Sequence, residues 1–297
     1  MIRNGLKTMA GNFILVWKHL VYILFAFIIS GALFAWSAEP IVRLLKSSGW
    51  VQELYDFFEL IYTSPKFIAS GFGRLATDLY LVLFNNFRAV WGNYLLSFIL
   101  LTILPNLLYY IGEYVLGVLT NAKMSSLHNR SYTYTLLCTL KRSVLYSLFK
   151  ILLSVPFALI MVALAYMYGV LTNTVTWTWF LFPIFIALEL FVLSVKYTFF
   201  IGYLPQSVQE TEGIAKSFAI GIDEYTDGFF KKVVLVWGLF IMEMATILFV
   251  GVFTIGAGLI VVIPGVMVTN VAISLSNYYT TKKENFYVGA DTIVKPV

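Results

Sequence analysis

The sequence predicts an all-α integral membrane protein: a bundle of six transmembrane helices accompanied by cytoplasmic amphipathic helices. Three observations lead there. Of 297 residues, 60% are hydrophobic and only 12% charged, about half the roughly 25% charged content of soluble domains. Mean hydropathy is +0.85. The few charges are clustered, which leaves uncharged windows long enough to cross a hydrocarbon core of about 30 Å, a distance that takes roughly 20 helical residues.

The first span is placed at 13–36, "FILVWKHLVYILFAFIISGALFAW". Its apolar part, Leu20–Trp36, exceeds the roughly 7–15 residues of a signal-peptide core, and Trp36 stands where cleavage after Ala38 needs a small residue. It therefore reads as a retained helix. Span two is 90–111, span three 147–171, span four 178–204, span five 233–253 and span six 259–279. A turn at "TNTVTW" separates spans three and four, and the glycines of "TIGAG" separate spans five and six.

Residues 37–89 form an external amphipathic helical segment. Apolar positions such as Ile41, Leu44, Leu45, Val51, Leu54, Phe57, Phe58 and Ile61 recur at helical spacing, broken at Gly49. A turn at "TSPKF" and a further helix near "LATDLYLVLFNNF" follow.

Orientation follows from basic residues, which favour the cytoplasmic side. Lys123, Arg130, Lys141 and Arg142 lie between spans two and three, with Lys150 at the start of span three, so alternation places both termini in the cytoplasm. Arg43, Lys46, Lys66, Arg74 and Arg88 fall outside, balanced by Glu39, Glu53, Asp56, Glu59 and Asp78. Trp36, Trp91, Trp177 and Trp179 then mark the outer boundary, and Trp17 and Trp237 the inner one. The formal charge of +5 is thus accounted for by topology, and no nucleic-acid partner is required.

Between spans four and five lies a polar island, "ETEGIAKSFAIGIDEYTDGFFKK". Pro205 is read as ending span four, and Thr211 as capping a new helix with Glu210 and Glu212 at its positive end. Ile214, Phe218, Ile222, Tyr225 and Phe229 make an apolar stripe, opposite Lys216, Asp223, Glu224 and Asp227. Residues 205–232 are accordingly a cytoplasmic interfacial helix that rests on the inner leaflet or docks a partner. Similar lead-ins, "GLKTMAGNFILVWK" and "SYTYTLLCTLKRSVLYSLFK", precede spans one and three. Two readings apply: three related hairpin units, or basic residues simply preceding every outward-going span. The chain reads as a single polytopic domain over 1–297, closed by a cytoplasmic tail at 280–297.

Charges at bilayer depth are costly and mark candidate sites. Glu189 and Lys196 fall in span four and Glu243 in span five, a candidate intramembrane polar site. It would bind a cation, a proton or a substrate amine; alternatively, these residues pair as structural glue. Glu113 and Lys150 lie closer to the inner boundary and are expected to snorkel towards water. Pro105, Pro156, Pro183 and Pro264 fall within spans and are expected to kink them.

Signatures of soluble chemistry are missing from the sequence: no phosphate-binding glycine loop, no paired-histidine zinc motif and no nucleophile elbow. Cys138 is the single cysteine, and His19 and His128 are the only histidines, so neither a disulfide nor a metal or cofactor site is expected. The order "GIAKSFAIGIDEYTDGFFKK", span, "TIGAGLIVVIP", span, "NYYTTKK" resembles a group of bacterial polytopic membrane proteins of unknown function. Among them is the membrane domain fused to some glycerophosphodiester phosphodiesterases. The likeness covers roughly the last hundred residues, departs from the group where Gly265 follows Pro264, and transfers no catalytic residue. It implies a bacterial plasma membrane and a six-helix bundle.

Two functional readings remain. The first is a non-enzymatic membrane protein acting through membrane lipids or a protein partner at the cytoplasmic face. The alternative is a permease, or the membrane subunit of a small-solute transporter, with Glu189, Lys196 and Glu243 lining its path.

Overall fold

A computed structural model describes residues 1–63, 68–126, 128–174, 182–209, 213–225, 228–289 and 292–295, with side chains described outside 60–73, 172–181 and 224–227. The elements in chain order are helices α1 (Ile2–Gly11), α2 (Ile14–Ser47), α3 (Trp50–Thr63), α4 (Ile68–Asn85), α5 (Phe87–Ser126) and α6 (Tyr132–Thr174). Then come α7 (Phe182–Phe199), α8 (Tyr203–Gln209), α9 (Ile214–Tyr225), α10 (Phe229–Phe253) and α11 (Leu259–Lys282), followed by strands β1 (Phe286–Gly289) and β2 (Thr292–Val294). Six helices among the described residues are long and apolar enough to cross a membrane: α2, α5, α6, α7 with its continuation α8, α10 and α11. Exposed side chains on these helices, such as Phe27, Leu159, Met242 and Val252, are apolar and suit contact with lipid. The protein is a multi-pass, all-α membrane bundle.

The chain forms two compact units. One comprises Phe25–Pro105, the other Met1–Leu24 with Asn106–Val297. Helices α2 and α5 each contribute residues to both. In the smaller unit, α2 continues through Pro40 to Ser47 instead of stopping near Trp36. Gly49 then breaks the helix with a φ of 83°, a conformation that costs glycine little. Helices α3 and α4 pack together, and the Trp50 indole donates to the Leu75 carbonyl at 3.0 Å. Ser37 and Ser97, both buried, share a 3.0 Å hydrogen bond between α2 and α5. The turn expected at "TSPKF" lies mostly at 64–67, outside the described residues, as do Trp177 and Trp179.

The larger unit holds the main core. Tyr114, Val115, Leu116 and Leu119 of α5 pack with Tyr146 of α6, Tyr203 and Leu204 of α8, and Val268, Val271 and Leu275 of α11. The lead-in expected before span three is not a separate helix, because α6 runs unbroken from Tyr132 through Pro156. Span four ends earlier than Pro205 suggested. The chain turns at Phe200–Gly202, and Pro205 sits in the first turn of α8, where its missing N–H costs nothing. Pro183 likewise falls in the first turn of α7, where it introduces no kink. The capping residues expected at Glu210, Thr211 and Glu212 lie outside the described residues.

Both ends of the chain are tied to this unit. Helix α1 packs along α11 with Gly5 against Ile273, where an added Cβ would come within 2.9 Å of the Ile273 backbone nitrogen. Gly11 lies against the Val288 carbonyl on the same principle of close approach. The segment read as a tail folds after Lys283 into an antiparallel hairpin, pairing Phe286 with Val294 and Tyr287 with Ile293. Phe286 is buried and its ring stacks on Tyr279 at 5.4 Å.

Candidate functional site

A cavity of about 390 Å³ opens among α5, α6, α7, α10 and α11, wholly within the larger unit. Helical spacing explains how one set of residues comes to line it. Asn106, Tyr109, Tyr110 and Glu113 lie on one stripe of α5; Phe240, Glu243, Met244 and Ile247 on one of α10; Met267, Asn270, Val271 and Ser274 on one of α11. Each set follows the i, i+3, i+4, i+7 pattern that stacks side chains on a single helix face. Lys150 enters from α6, and Leu190, Leu193, Lys196 and Tyr197 from α7, with Phe200 beyond its end.

One wall carries a closed ion pair. The Lys150 ammonium donates to both oxygens of Glu113, at 2.7 and 2.6 Å, and to the Tyr146 hydroxyl at 3.1 Å, which uses all three of its N–H groups. It also stands 4.7 Å from the centre of the Tyr110 ring, within cation–π range. Expected to snorkel separately, these two residues are instead buried together and neutralise each other. The reason is reach: Lys150 lies one turn after Tyr146 on α6 and faces α5 across the bundle.

The remaining charges are differently placed. Lys196 donates to the Tyr110 hydroxyl at 3.0 Å, leaving two of its three N–H groups for something else. On α10 and α11, the Glu243 and Asn270 side chains are hydrogen-bonded to each other, while the Glu243 Oε1 and the Asn270 side-chain oxygen are buried without a partner. The Asn270 backbone carbonyl accepts from the Tyr197 hydroxyl at 2.5 Å, and that hydroxyl also meets Ser274 Oγ at 3.0 Å. No ion pair joins Lys196 to Glu243 among the described residues. The cavity is thus lined by a hydrogen-bond donor on α7 and, on α10 and α11, by two residues that each carry an unpartnered acceptor oxygen, between walls of aromatic, methionine and aliphatic side chains.

Of the three intramembrane charges singled out from the sequence, Lys196 and Glu243 line this cavity and Glu189 does not. Glu189 is half-buried on α7, near the point where Trp237 donates to the Ala187 carbonyl at 3.0 Å. Glu113, Lys150, Asn106, Asn270 and Ser274 add to the polar lining. The repeated i, i+3, i+4, i+7 pattern of polar and aromatic residues on α5, α10 and α11 was the sequence signal that could have grouped them. Among the described residues no cluster of three or more histidine, cysteine or acidic side chains could hold a metal ion.

The stripe on the polar island is divided by the structure. Phe218 packs into the bundle's own aromatic cluster, with Phe149 at 5.6 Å, Phe199 at 5.5 Å and Tyr203 at 5.4 Å. Ile214 packs against the same core, and Ile222 is half-buried. Phe229 belongs to α10, of which it is the first residue, preceded by Gly228 with a φ of 69° as the N-cap. The Tyr225 side chain lies outside those described.

Comparison with family models, with curated proteins and with solved structures finds no match to this chain.

Proposed function

We propose that the protein binds a small polar solute in the cavity between α5, α7, α10 and α11 and carries it across the membrane, as a permease or the membrane subunit of one. The observation that supports this reading is that Glu243 and Asn270, each with a buried side-chain oxygen lacking a hydrogen-bond partner, line the same cavity as a lysine with uncommitted N–H groups. A buried polar atom without a partner costs about 1–3 kcal/mol. Groups of this kind belong at a place that a ligand or water completes. The cavity's volume also lies within the roughly 300–1,000 Å³ of small-molecule sites.

Docking of a partner on α9 is less well supported, since Phe218 is already engaged by Phe149, Phe199, Phe200 and Tyr203. Cytoplasmic termini, resting on the distribution of lysine and arginine, and residence in a bacterial plasma membrane, resting on the resemblance of roughly the last hundred residues, complete the proposal.

Substituted-cysteine chemistry tests the reading. In a Cys138→Ser background, Val271→Cys and Ser274→Cys should react with a charged, membrane-impermeant thiol reagent, while the lipid-facing Leu159→Cys should not. Reaction from both membrane faces is the expected result for a permease. If neither cavity cysteine reacts from either face, no polar solute reaches the cavity and the proposal fails.

A further inference from the structure

The geometry points to a dipolar ligand: a small group of zero net charge that carries an ammonium and an anion together, bound with its anion at Lys196 and its ammonium at Glu243 and Asn270. This inference rests on the solute-binding reading above and names the class of solute.

Charge balance selects this class of ligand. Glu113 and Lys150 cancel each other at 2.6 Å and leave no net charge for a ligand to answer. Lys196 and Glu243 also sum to zero, but they are not paired with each other, so the cavity holds two separated, opposite charges. A ligand that is only an anion would satisfy Lys196 and leave Glu243 facing it unpaired. A ligand that is only a cation would do the reverse. Either arrangement leaves an uncompensated charge in a low-dielectric site, where charge pairing matters most. A molecule carrying both charges answers both walls at once. The ammonium end also finds a neutral acceptor in the Asn270 oxygen, and at the other end Lys196 has two N–H groups free for an anion.

A bare metal cation fits poorly. The vacant acceptors are two oxygens, while hard cations take six or more oxygen ligands. The flanking Phe240, Met244 and Ile247 suit an apolar substituent on the dipolar group, with no further charge.

The shared chemistry has two sources, a free zwitterionic solute such as an amino acid or the headgroup of a zwitterionic lipid. The experiment uses the full chain in phosphatidylglycerol nanodiscs, with ligand binding read from thermal unfolding. Free amino acids with apolar side chains are titrated against their decarboxylated amines and their deaminated acids. In a second arm, phosphatidylethanolamine replaces part of the nanodisc lipid. The expected result in the first arm is that each single-charge analogue binds at least about tenfold more weakly than its parent zwitterion, the loss of one charged hydrogen-bonded contact. Lys196→Gln should bring the zwitterion down to the level of its amine, and Glu243→Gln down to that of its acid. Lys196→Arg should keep the preference for the zwitterion, which separates lost recognition from misfolding. If a lipid headgroup is the ligand, stabilisation by phosphatidylethanolamine replaces the free-solute response and is lost in the same two glutamine variants.

A single-charge analogue that binds as well as the zwitterion overturns the inference. So does the failure of both zwitterion sources to stabilise a protein whose cavity cysteines react. Unreactive cavity cysteines instead remove the solute-binding reading itself.

Discussion

Lys150 and Glu113 face each other across α6 and α5 with the ammonium within 2.7 Å of both carboxylate oxygens, side chains only 8% and 15% exposed. Thirty-seven residues separate them in the chain. Removing one partner strands the other charge in the bundle, which costs about 3–5 kcal/mol. Glu113→Gln and Lys150→Met should each lower the denaturant midpoint in mild detergent by that order. The double variant should recover most of the loss, since two neutral side chains leave no stranded charge. Strictly additive losses would show that the pair is not coupled.

A second prediction concerns α9. Gly221 is buried against the backbone of Gly202 and Tyr203, where an added Cβ would stand 2.9 Å from the Gly202 carbonyl carbon. Backbone cannot yield as a flexible side chain can, so Gly221→Ala should destabilise by about 1–3 kcal/mol despite alanine's better helix propensity. Phe218→Ala should cost about 3 kcal/mol through the cavity left among its four aromatic neighbours. Limited proteolysis near Lys216 measures both, and unchanged protection in either variant contradicts the docked position of α9.

The C-terminal hairpin supplies a third. Phe286 and Val288 are 1% and 3% exposed, against Tyr279 and the α1 face around Gly11. Deleting 284–297 removes burial worth about 1.5–3 kcal/mol for each of these side chains. Trypsin cleavage at Arg3 and Lys7 of α1 should rise, while the rest of the bundle stays folded. Equal cleavage rates in the full and shortened chains would mean that the hairpin does not hold α1 in place.

The sequence shows the spans because length and apolarity decide membrane insertion residue by residue. Gly49 and the 254–258 turn are legible for a local reason, since each break carries its own glycine, and Gly256 adopts a φ of 83°. Local signals mislead where context overrides them. Span one reads as ending at Trp36 yet α2 runs on through Pro40, and Pro205 reads as a stop yet falls in the first turn of α8. Basic residues at 141, 142 and 150 suggest an interfacial lead-in, whereas α6 carries them along one continuous rod. The hairpin's alternation of Phe286 and Val288 is visible in "NFYVGADTIVK", but so short a run next to a lysine-rich stretch reads equally as tail.

The candidate site was half legible. Lys196 and Glu243 stand out because charge is rare in an apolar run. Glu113 stands out too but reads as a snorkelling charge, and Asn270 carries no charge; their role depends on which helix faces which. That pairing is set by long-range packing, and hydropathy carries no record of it. Glu189 shows the converse: a charge at bilayer depth, one turn before Leu193 and two before Lys196 on α7, that is absent from the cavity lining, which on this helix begins at Leu190.

Native mass spectrometry of the protein released from its own membrane tests the central claim most directly. The account predicts a stoichiometric adduct of one small zwitterionic molecule or one zwitterionic lipid, lost in Lys196→Gln and retained in Lys196→Arg. A chain that flies without an adduct, or an adduct indifferent to Lys196, would contradict it.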